Sequence, residues 1–195
     1  MFIKFSLFLL FSFLFSFAKN PVVEIKTSKG SILVELNEKK APLSVKNFLS
    51  YVKEKHYDGT IFHRVINNFM IQGGGFDKDM NEKPTKSPIL NEAHNGLSND
   101  KYTIAMARTS DPNSATAQFY INVNDNSSLN YSESLIPGSK EKGINHGYAV
   151  FGKVTKGQDV VDAIKTLRTG MKNVKGNIFE DVPTETILIE SIKLK

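Results

Sequence analysis

The alternation of apolar and polar residues predicts a chain built mainly from short β-strands. Val22–Ser28 and Ser31–Asn37 each alternate, and Lys29-Gly30 lies between them as a turn, so we predict a β-hairpin. Six further apolar stretches have the length of strands: Ile61–Ile66, Phe69–Gln72, Thr103–Ala107, Gln118–Val123, Ala149–Val154 and Thr186–Leu194.

Two other segments repeat apolar residues every three or four positions, which is typical of a helix packed on one face. The first follows Pro42, a residue suited to the first turn of a helix, and its apolar face comprises Val45, Phe48, Leu49 and Val52. The second has Asp159 in its first turn and an apolar face of Val160, Val161, Ile164 and Leu167. Eight strands with two helices predict a mainly β fold, a closed eight-stranded antiparallel β-barrel capped by two α-helices. The polar stretches Asn81–Lys101 and Asn124–Gly147 are predicted surface loops.

The first 18 residues differ from the rest in composition. They hold seven of the 14 phenylalanines and one charge, Lys4, and they end in the small residues Ser16 and Ala18 separated by Phe17. A positive start, a short apolar middle and a small-residue end predict a secretory signal peptide over residues 1–18. The alternative is an uncleaved N-terminal anchor. Residues 19–195 are predicted to form one domain, and in either case we expect an exported, periplasmic protein.

Composition excludes several classes of function. The chain has 195 residues, 40% of them hydrophobic and 23% charged, as expected of a folded protein. With no cysteine it has no disulfide, thiolate nucleophile or cysteine-ligated metal. Loss of Lys4 with the signal lowers the formal net charge from +5 to +4, and no basic run reaches the length of a nucleic-acid patch. G-x-S-x-G, the hydrolase pattern, does not occur.

The densest run of unusual residues reads F-H-R-V-I-N-N-F-M-I-Q-G-G-G-F from Phe62 to Phe76. On a regular strand Phe62 and Arg64 share one face, which places a charged donor beside apolar residues. His63 faces the other way and is predicted to be a hydrogen-bonded structural histidine. The triple glycine permits a tight bend or a close backbone approach, and its spacing does not fit a dinucleotide site.

A second run reads I-A-M-A-R-T-S-D-P-N-S-A-T-A-Q-F-Y-I-N-V from Ile104 to Val123. Alternation predicts that Phe119 and Ile121 lie in the core, whereas Gln118 and Tyr120 lie side by side on the opposite face.

These two runs, with V-F-G-K-V at Val150–Val154, resemble the cyclophilin family of peptidyl-prolyl cis/trans isomerases, and within it the bacterial exported members. The resemblance extends from about Val22 to Ile192. It implies a cyclophilin-like barrel, a cofactor-free and metal-free isomerase acting on proline-containing polypeptides, and a role in protein folding. We expect a monomer with no nucleic-acid partner, and a membrane contact only if residues 1–18 stay attached.

The resemblance also implies a site, residue by residue. Arg64 matches the catalytic arginine, and Gln72 and Gln118 match the side chains that hold the substrate backbone and help to position the arginine. The residues that match the substrate-binding surface are Phe69, Met70, Ala107, Arg108, Tyr120, Leu129 and Tyr148.

Three positions depart from the common family pattern. Ser128 stands where many members have an aromatic residue, so we expect weak cyclosporin binding, and Tyr120 replaces the commoner phenylalanine and adds a hydroxyl at the pocket edge. The segment Asn130–His146 is long and adds possible substrate contacts of its own. Two alternatives therefore stay open: a proline-binding chaperone or adaptor with little turnover, and a barrel that carries a small apolar ligand. Large residues on the inner face argue against the second.

Overall fold

The computed structural model describes residues 19–135 and 142–195, so the predicted signal peptide lies outside the described residues. The strands are β1 Val22–Thr27, β2 Gly30–Leu36, β3 Thr60–Ile66, β4 Met70–Asp77, β5 Thr103–Met106, β6 Phe119–Asn122, β7 Ser132–Leu135, β8 Lys142–Asn145, β9 Val150–Lys156, β10 Thr169–Val174, β11 Asn177–Pro183 and β12 Leu188–Leu194. The helices are α1 Pro42–Lys53 and α2 Gln158–Lys165, with a 3₁₀ turn at Ser127–Leu129. Within these residues, no helix has the length and apolarity needed to cross a membrane.

Eight of the strands close into a barrel in the order β1-β12-β3-β4-β6-β5-β9-β2, and the neighbouring pairs are antiparallel. The predicted fold class is therefore confirmed. Its interior is filled by one cluster of side chains from the strands and both helices, among which Phe48 packs edge-on against Phe119 at 5.6 Å between ring centroids. Phe119 and Ile121 are both fully buried there, as their alternation predicts.

Helix α1 is fixed to the barrel at both its face and its start. Val45, Phe48 and Val52 are buried, and Pro42 stands in the first turn, as the sequence predicts. The helix has no side-chain cap of its own. The carboxylate of Glu92 supplies one, since it accepts hydrogen bonds from the backbone N–H groups of Leu43 at 3.0 Å and Ser44 at 2.7 Å. An anionic group at this end also suits the helix dipole. Glu92 thereby ties the long loop 81–101 to the start of α1.

Two hairpins lie outside the barrel and differ from the predictions. The segment predicted as a loop at Asn124–Gly147 contains the pair β7–β8, and a second pair, β10–β11, follows α2. Both are mostly exposed, so their side chains show little apolar alternation. The second turns at Lys175-Gly176, where both residues have positive φ, 53° and 88°, as a two-residue hairpin turn requires.

A bulge in β3 overturns the predicted facing of its residues. Phe62 pairs with Gly73 and Arg64 with Gln72, so His63 is an extra residue on its strand. The consequence is that Phe62 and Val65 both enter the main core, whereas Arg64 lies outside it. The prediction that Phe62 and Arg64 share a face is wrong, because regular alternation stops at this bulge.

His63 is buried on the outer side of β3 and is 6% exposed. Its ring lies 4.7 Å from that of Phe76, and within the described residues its Nδ1 has no hydrogen-bond partner, so the predicted hydrogen bond is not found at that nitrogen. Burial, and secondarily the charge of Arg64, lowers the pKa of His63 from 6.5 to about 4.

This pKa predicts a pH-dependent stability. The unfolded chain binds a proton at His63 below pH 6.5, and the folded protein does so only near pH 4, so the stability that neutral His63 contributes is present above pH 6.5 and is lost as the pH falls towards 4. Over that window the free energy of unfolding of wild type should fall by about 3 kcal/mol relative to His63→Gln. Urea unfolding of residues 19–195 at a series of pH values measures this, with the exposed His94→Gln as the matched control. Parallel pH curves for wild type and His63→Gln would contradict the assignment.

Candidate active site

A small open cavity of about 110 Å³ lies on the outer surface of the barrel, across the neighbouring strands β3, β4, β6 and β5. Its lining includes nine of the ten residues that the resemblance selects: Arg64, Phe69, Met70, Gln72, Ala107, Arg108, Tyr120, Leu129 and Tyr148. A larger groove of about 510 Å³ lies between α1 and the end of β12, but no arginine or glutamine lines it. The first cavity therefore combines an apolar surface with two arginines and a glutamine.

Gln118 is the tenth residue and lies beside the cavity. Its Oε1 accepts a hydrogen bond of 2.9 Å from Nε2 of Gln72. The triple glycine makes room for this pair, because a Cβ added at Gly75 would come within 2.5 Å of Cγ of Gln118. The structure shows both uses that the sequence allowed for these glycines. Gly74 has a φ of 85° in a bulge of β4 opposite Ile61, and Gly75 makes the close approach. No hydrogen bond joins either glutamine to Arg64 in the described part of the chain.

The apolar wall of the cavity is a cluster separate from the barrel core. Met70 and Tyr120 are buried in it, and Phe69, Leu129 and Tyr148 pack against them. The rings of Tyr120 and Tyr148 meet nearly edge-on, 5.9 Å apart and at 76°. An outward-facing apolar surface of this kind suits a ring-shaped apolar ligand.

The hydroxyl of Tyr120 points away from the pocket edge, contrary to expectation. The residue is 4% exposed, and its hydroxyl donates a hydrogen bond of 2.7 Å to Oδ1 of the buried Asn99. Burial raises the pKa of Tyr120 well above its ordinary value, so the hydroxyl keeps the proton that it donates.

Asn99 connects this hydroxyl to the rest of the cavity wall. Its Nδ2 donates to the carbonyl oxygens of Leu129 at 3.1 Å and Tyr148 at 3.3 Å. Asn126 extends the network by donating to the carbonyl oxygen of Phe69 at 2.7 Å. Two asparagines thus hold three wall residues by their backbones. Sequence reasoning missed both, because Asn99 and Asn126 each lie in a predicted surface loop and outside the motifs that carry the resemblance.

Arg108 is held in place by the protein itself. Its guanidinium lies 4.2 Å above the ring of Tyr148 and donates from Nε and Nη2 to the carbonyl oxygen of Gly147, at 3.1 and 2.9 Å. The backbone N–H of the preceding Ala107 donates to the carbonyl oxygen of Gln118 at 2.9 Å. Arg108 therefore stiffens the cavity wall as a stacked cation. Arg64 is 44% exposed and has one described partner, the Asp181 carboxylate at 3.4 Å.

Nothing in the described residues resembles a metal centre, since no group of three or more His, Asp or Glu side chains is placed to hold an ion there. What the cavity offers chemically is an apolar surface, the amide of Gln72 hydrogen-bonded to the neighbouring Gln118, and two arginines, Arg64 and Arg108.

The comparisons with known proteins agree with this fold. Residues 22–194 match the family model described as cyclophilin type peptidyl-prolyl cis-trans isomerase/CLD, and the chain belongs to this family. It is 58% identical to peptidyl-prolyl cis-trans isomerase cyp18 of Streptomyces antibioticus over 88% of this chain and 97% of that one. It is 51% identical to peptidyl-prolyl cis-trans isomerase B of Escherichia coli, again over 88% of this chain and 98% of the other.

A solved structure also superposes on the chain. The cyclophilin type peptidyl-prolyl cis-trans isomerase of Cryptosporidium parvum, crystallised in the presence of the dipeptide Ala-Pro, matches with a TM-score of 0.66 at 26% identity, over 89% of this chain and 98% of that one. The chain is accordingly a peptidyl-prolyl cis-trans isomerase.

The tyrosine–asparagine contact yields a prediction about stability. Tyr120→Phe removes the buried hydrogen bond to Asn99 and should lower the free energy of unfolding by about 1–2 kcal/mol. Because the hydroxyl faces away from the cavity, KM for an Ala-Pro peptide should change less than about twofold. A change of that size is smaller than the loss of one hydrogen bond to the substrate would cause. Urea unfolding and steady-state kinetics test the two halves. Tyr131→Phe, which loses an exposed hydrogen bond to Glu133, is the control and should change stability little. A large rise in KM for Tyr120→Phe would contradict this orientation and show that the hydroxyl contacts the substrate at the pocket edge.

Proposed function

We propose that this isomerase acts on exposed X–Pro bonds of exported or unfolded polypeptides and so assists their folding, with Arg64 as its central catalytic group. The observation that carries the site assignment is the position of Arg64 at the edge of a cavity walled by Phe69, Met70, Tyr120 and Leu129. The dipeptide named with the Cryptosporidium structure supports the choice of substrate class.

The reaction needs no nucleophile, because rotation about an X–Pro bond makes and breaks no covalent bond. The bond rotates slowly, over tens to hundreds of seconds, since rotation disrupts amide resonance. In the twisted state the prolyl nitrogen loses its conjugation and gains a lone pair that accepts a hydrogen bond. A guanidinium is always protonated and is a suitable donor. Arg64 would stabilise the twisted state more than either planar isomer, which is the condition for acceleration.

Arg64 does not suffice alone. An acceleration of about a hundred-thousandfold corresponds to about 7 kcal/mol. One charge-assisted hydrogen bond contributes about 2–3 kcal/mol of this. The remainder must come from fixing the proline ring and from donors that need no reorganisation during the rotation.

The other cavity residues fit that requirement. Met70 and Tyr120 are held by burial, and Phe69 and Leu129 are tied by backbone hydrogen bonds to the asparagines behind them. We propose that these four hold the proline ring. Gln72 and Gln118, linked at 2.9 Å, present amide groups to the substrate backbone, and Ala107, Arg108 and Tyr148 form the rim along which the substrate runs.

The segment between Leu129 and Tyr148 joins two cavity-lining residues, and hairpin β7–β8 is part of it. Asn145 fixes the base of the hairpin by donating to the carbonyl oxygens of Ser128 and Asn130. Ser128 is exposed beside the cavity, so no aromatic side chain closes the rim at this position. This open rim supports an enzyme that accepts many proline-containing chains.

Residues 1–18 support the exported location. Their single positive charge, apolar middle and small residues at Ser16 and Ala18 suit recognition and cleavage as a signal. A chain without cysteine also folds after export without oxidation.

Arg64→Ala tests the catalytic assignment. The side chain is partly exposed, so the variant should fold, and it should accelerate the cis/trans exchange of an Ala-Pro peptide about a hundredfold less than wild type. Exchange NMR with catalytic amounts of residues 19–195 measures this, and the exposed Arg168→Ala is the matched control with the same loss of charge. Full activity in Arg64→Ala would refute the role of Arg64. Peptide binding by wild type without acceleration would favour a proline-binding chaperone.

Export predicts a defined processed form. Full-length chain expressed in a Gram-negative host should appear in the periplasmic fraction beginning at Lys19, by intact mass. Ala18→Arg should block the cleavage and retain the chain at the membrane, whereas Lys19→Arg, just beyond the cleavage point, should not. An unprocessed wild-type chain in the membrane fraction would show an anchor, and one in the cytosol would contradict export.

A further inference from the structure

The guanidinium of Arg64 has a carboxylate partner from outside the barrel. Its Nε donates to Oδ2 of Asp181 at 3.4 Å, across 117 residues of sequence. Within residues 19–135 and 142–195 this is the one hydrogen bond that the guanidinium makes. We infer that Asp181 is a positioning residue for Arg64, an inference that rests on the proposed catalytic role of Arg64.

The backbone at Asp181 is shaped to deliver this contact. In the β10–β11 hairpin Gly170 pairs with Val182 and Lys172 pairs with Phe179. One residue of β10 therefore faces two of β11, Glu180 and Asp181, which is a β-bulge. Asp181 has a φ of 57°, in the left-handed region that residues other than glycine, asparagine and aspartate seldom adopt. Bulges of this kind beside active sites redirect side chains.

Packing on both sides holds the bulge against the barrel. Val182 is 7% exposed and packs in one cluster with Ile61 of β3 and Phe179. The ring of Phe179 lies 5.5 Å from that of Phe76 and nearly perpendicular to it. Because Phe179 and Val182 are both anchored, the two residues between them have little freedom, and the carboxylate has a defined place. A group that positions another must itself be fixed in this way.

The contact with Asp181 orients the Arg64 guanidinium and does not strengthen its attraction for the substrate. A partly exposed arginine samples many rotamers, and a fixed partner at Nε restricts them. With Nε occupied, the guanidinium plane is set and the terminal amino groups are left to face the substrate. Asp181 also lowers the net positive charge near the cavity, so it adds no pull on the substrate. Its loss should therefore lower kcat and leave KM nearly unchanged.

The test compares Asp181→Asn, which tolerates the left-handed backbone and loses the charge, with Glu180→Gln, which removes an exposed charge one residue away. Asp181→Asn should lower kcat about 3- to 10-fold with KM within about twofold, as expected for a partly exposed ion pair that orients a reacting group. Glu180→Gln should match wild type. Raising the salt concentration to about 0.5 M should narrow the gap between wild type and Asp181→Asn, because the ion pair is screened.

The double variant separates this inference from the proposed function. If Asp181 acts through Arg64, Asp181→Asn should have no further effect in the Arg64→Ala background. Asp181→Gly, which keeps the bulge without strain, replaces Asp181→Asn if circular dichroism shows that the latter misfolds. Wild-type kcat in both Asp181 variants, with Arg64→Ala impaired, would overturn the inference and leave the proposed function standing. An equal fall in Glu180→Gln would also overturn it, since net charge would then explain the effect. Full activity in Arg64→Ala would refute the proposed catalytic role of Arg64, on which this inference rests.

Discussion

The filling of the barrel is the constraint on which the rest of the structure depends. Eight strands enclose a space just wide enough for their own side chains, and here Phe48, Phe119 and their neighbours occupy it. Within the described residues these side chains pack against one another, which disfavours the alternative of a barrel that carries a small apolar molecule. Apart from the bulges, alternation along the strands directs every second residue outward, and the outer surface is where the candidate site lies. Two adjacent residues illustrate this arrangement: the side chain of Phe119 lies in the barrel core, and that of Tyr120 lies in the wall of the outer cavity.

A site on the outer surface is supported by barrel packing from one side only, so it needs further contacts to become rigid. Loops and the additional hairpins provide these contacts. Asn99 and Asn126 hold the cavity wall by its backbone, Arg108 stacks on Tyr148, and the hairpin β10–β11 brings Asp181 to Arg64. These contacts join residues far apart in the sequence to a surface that the barrel alone would leave mobile. The mechanism that we propose depends on orientation and hydrogen bonding, and both require a rigid site.

Periodicity predicts the barrel, both helices and the burial of Phe119 because each depends on neighbouring residues in the chain. The resemblance to the cyclophilin family, and not periodicity, selects the nine residues that line one cavity. What the sequence does not reveal is irregular or distant: the bulge at His63, the left-handed Asp181 and the buried hydroxyl of Tyr120. The two exposed hairpins also escape prediction, because strands such as Ser132–Leu135 bury neither face and so leave no hydrophobic pattern. The contact between Arg64 and Asp181 spans 117 residues and has no local signal.

A crystal structure of residues 19–195 with a bound Ala-Pro peptide tests the proposed site most directly. We expect the proline ring among Phe69, Met70, Tyr120 and Leu129, with a terminal amino group of Arg64 facing the prolyl nitrogen and the Asp181 carboxylate still bound to Nε. A peptide bound in the groove between α1 and β12, or an Arg64 guanidinium turned away from the prolyl nitrogen, would contradict it.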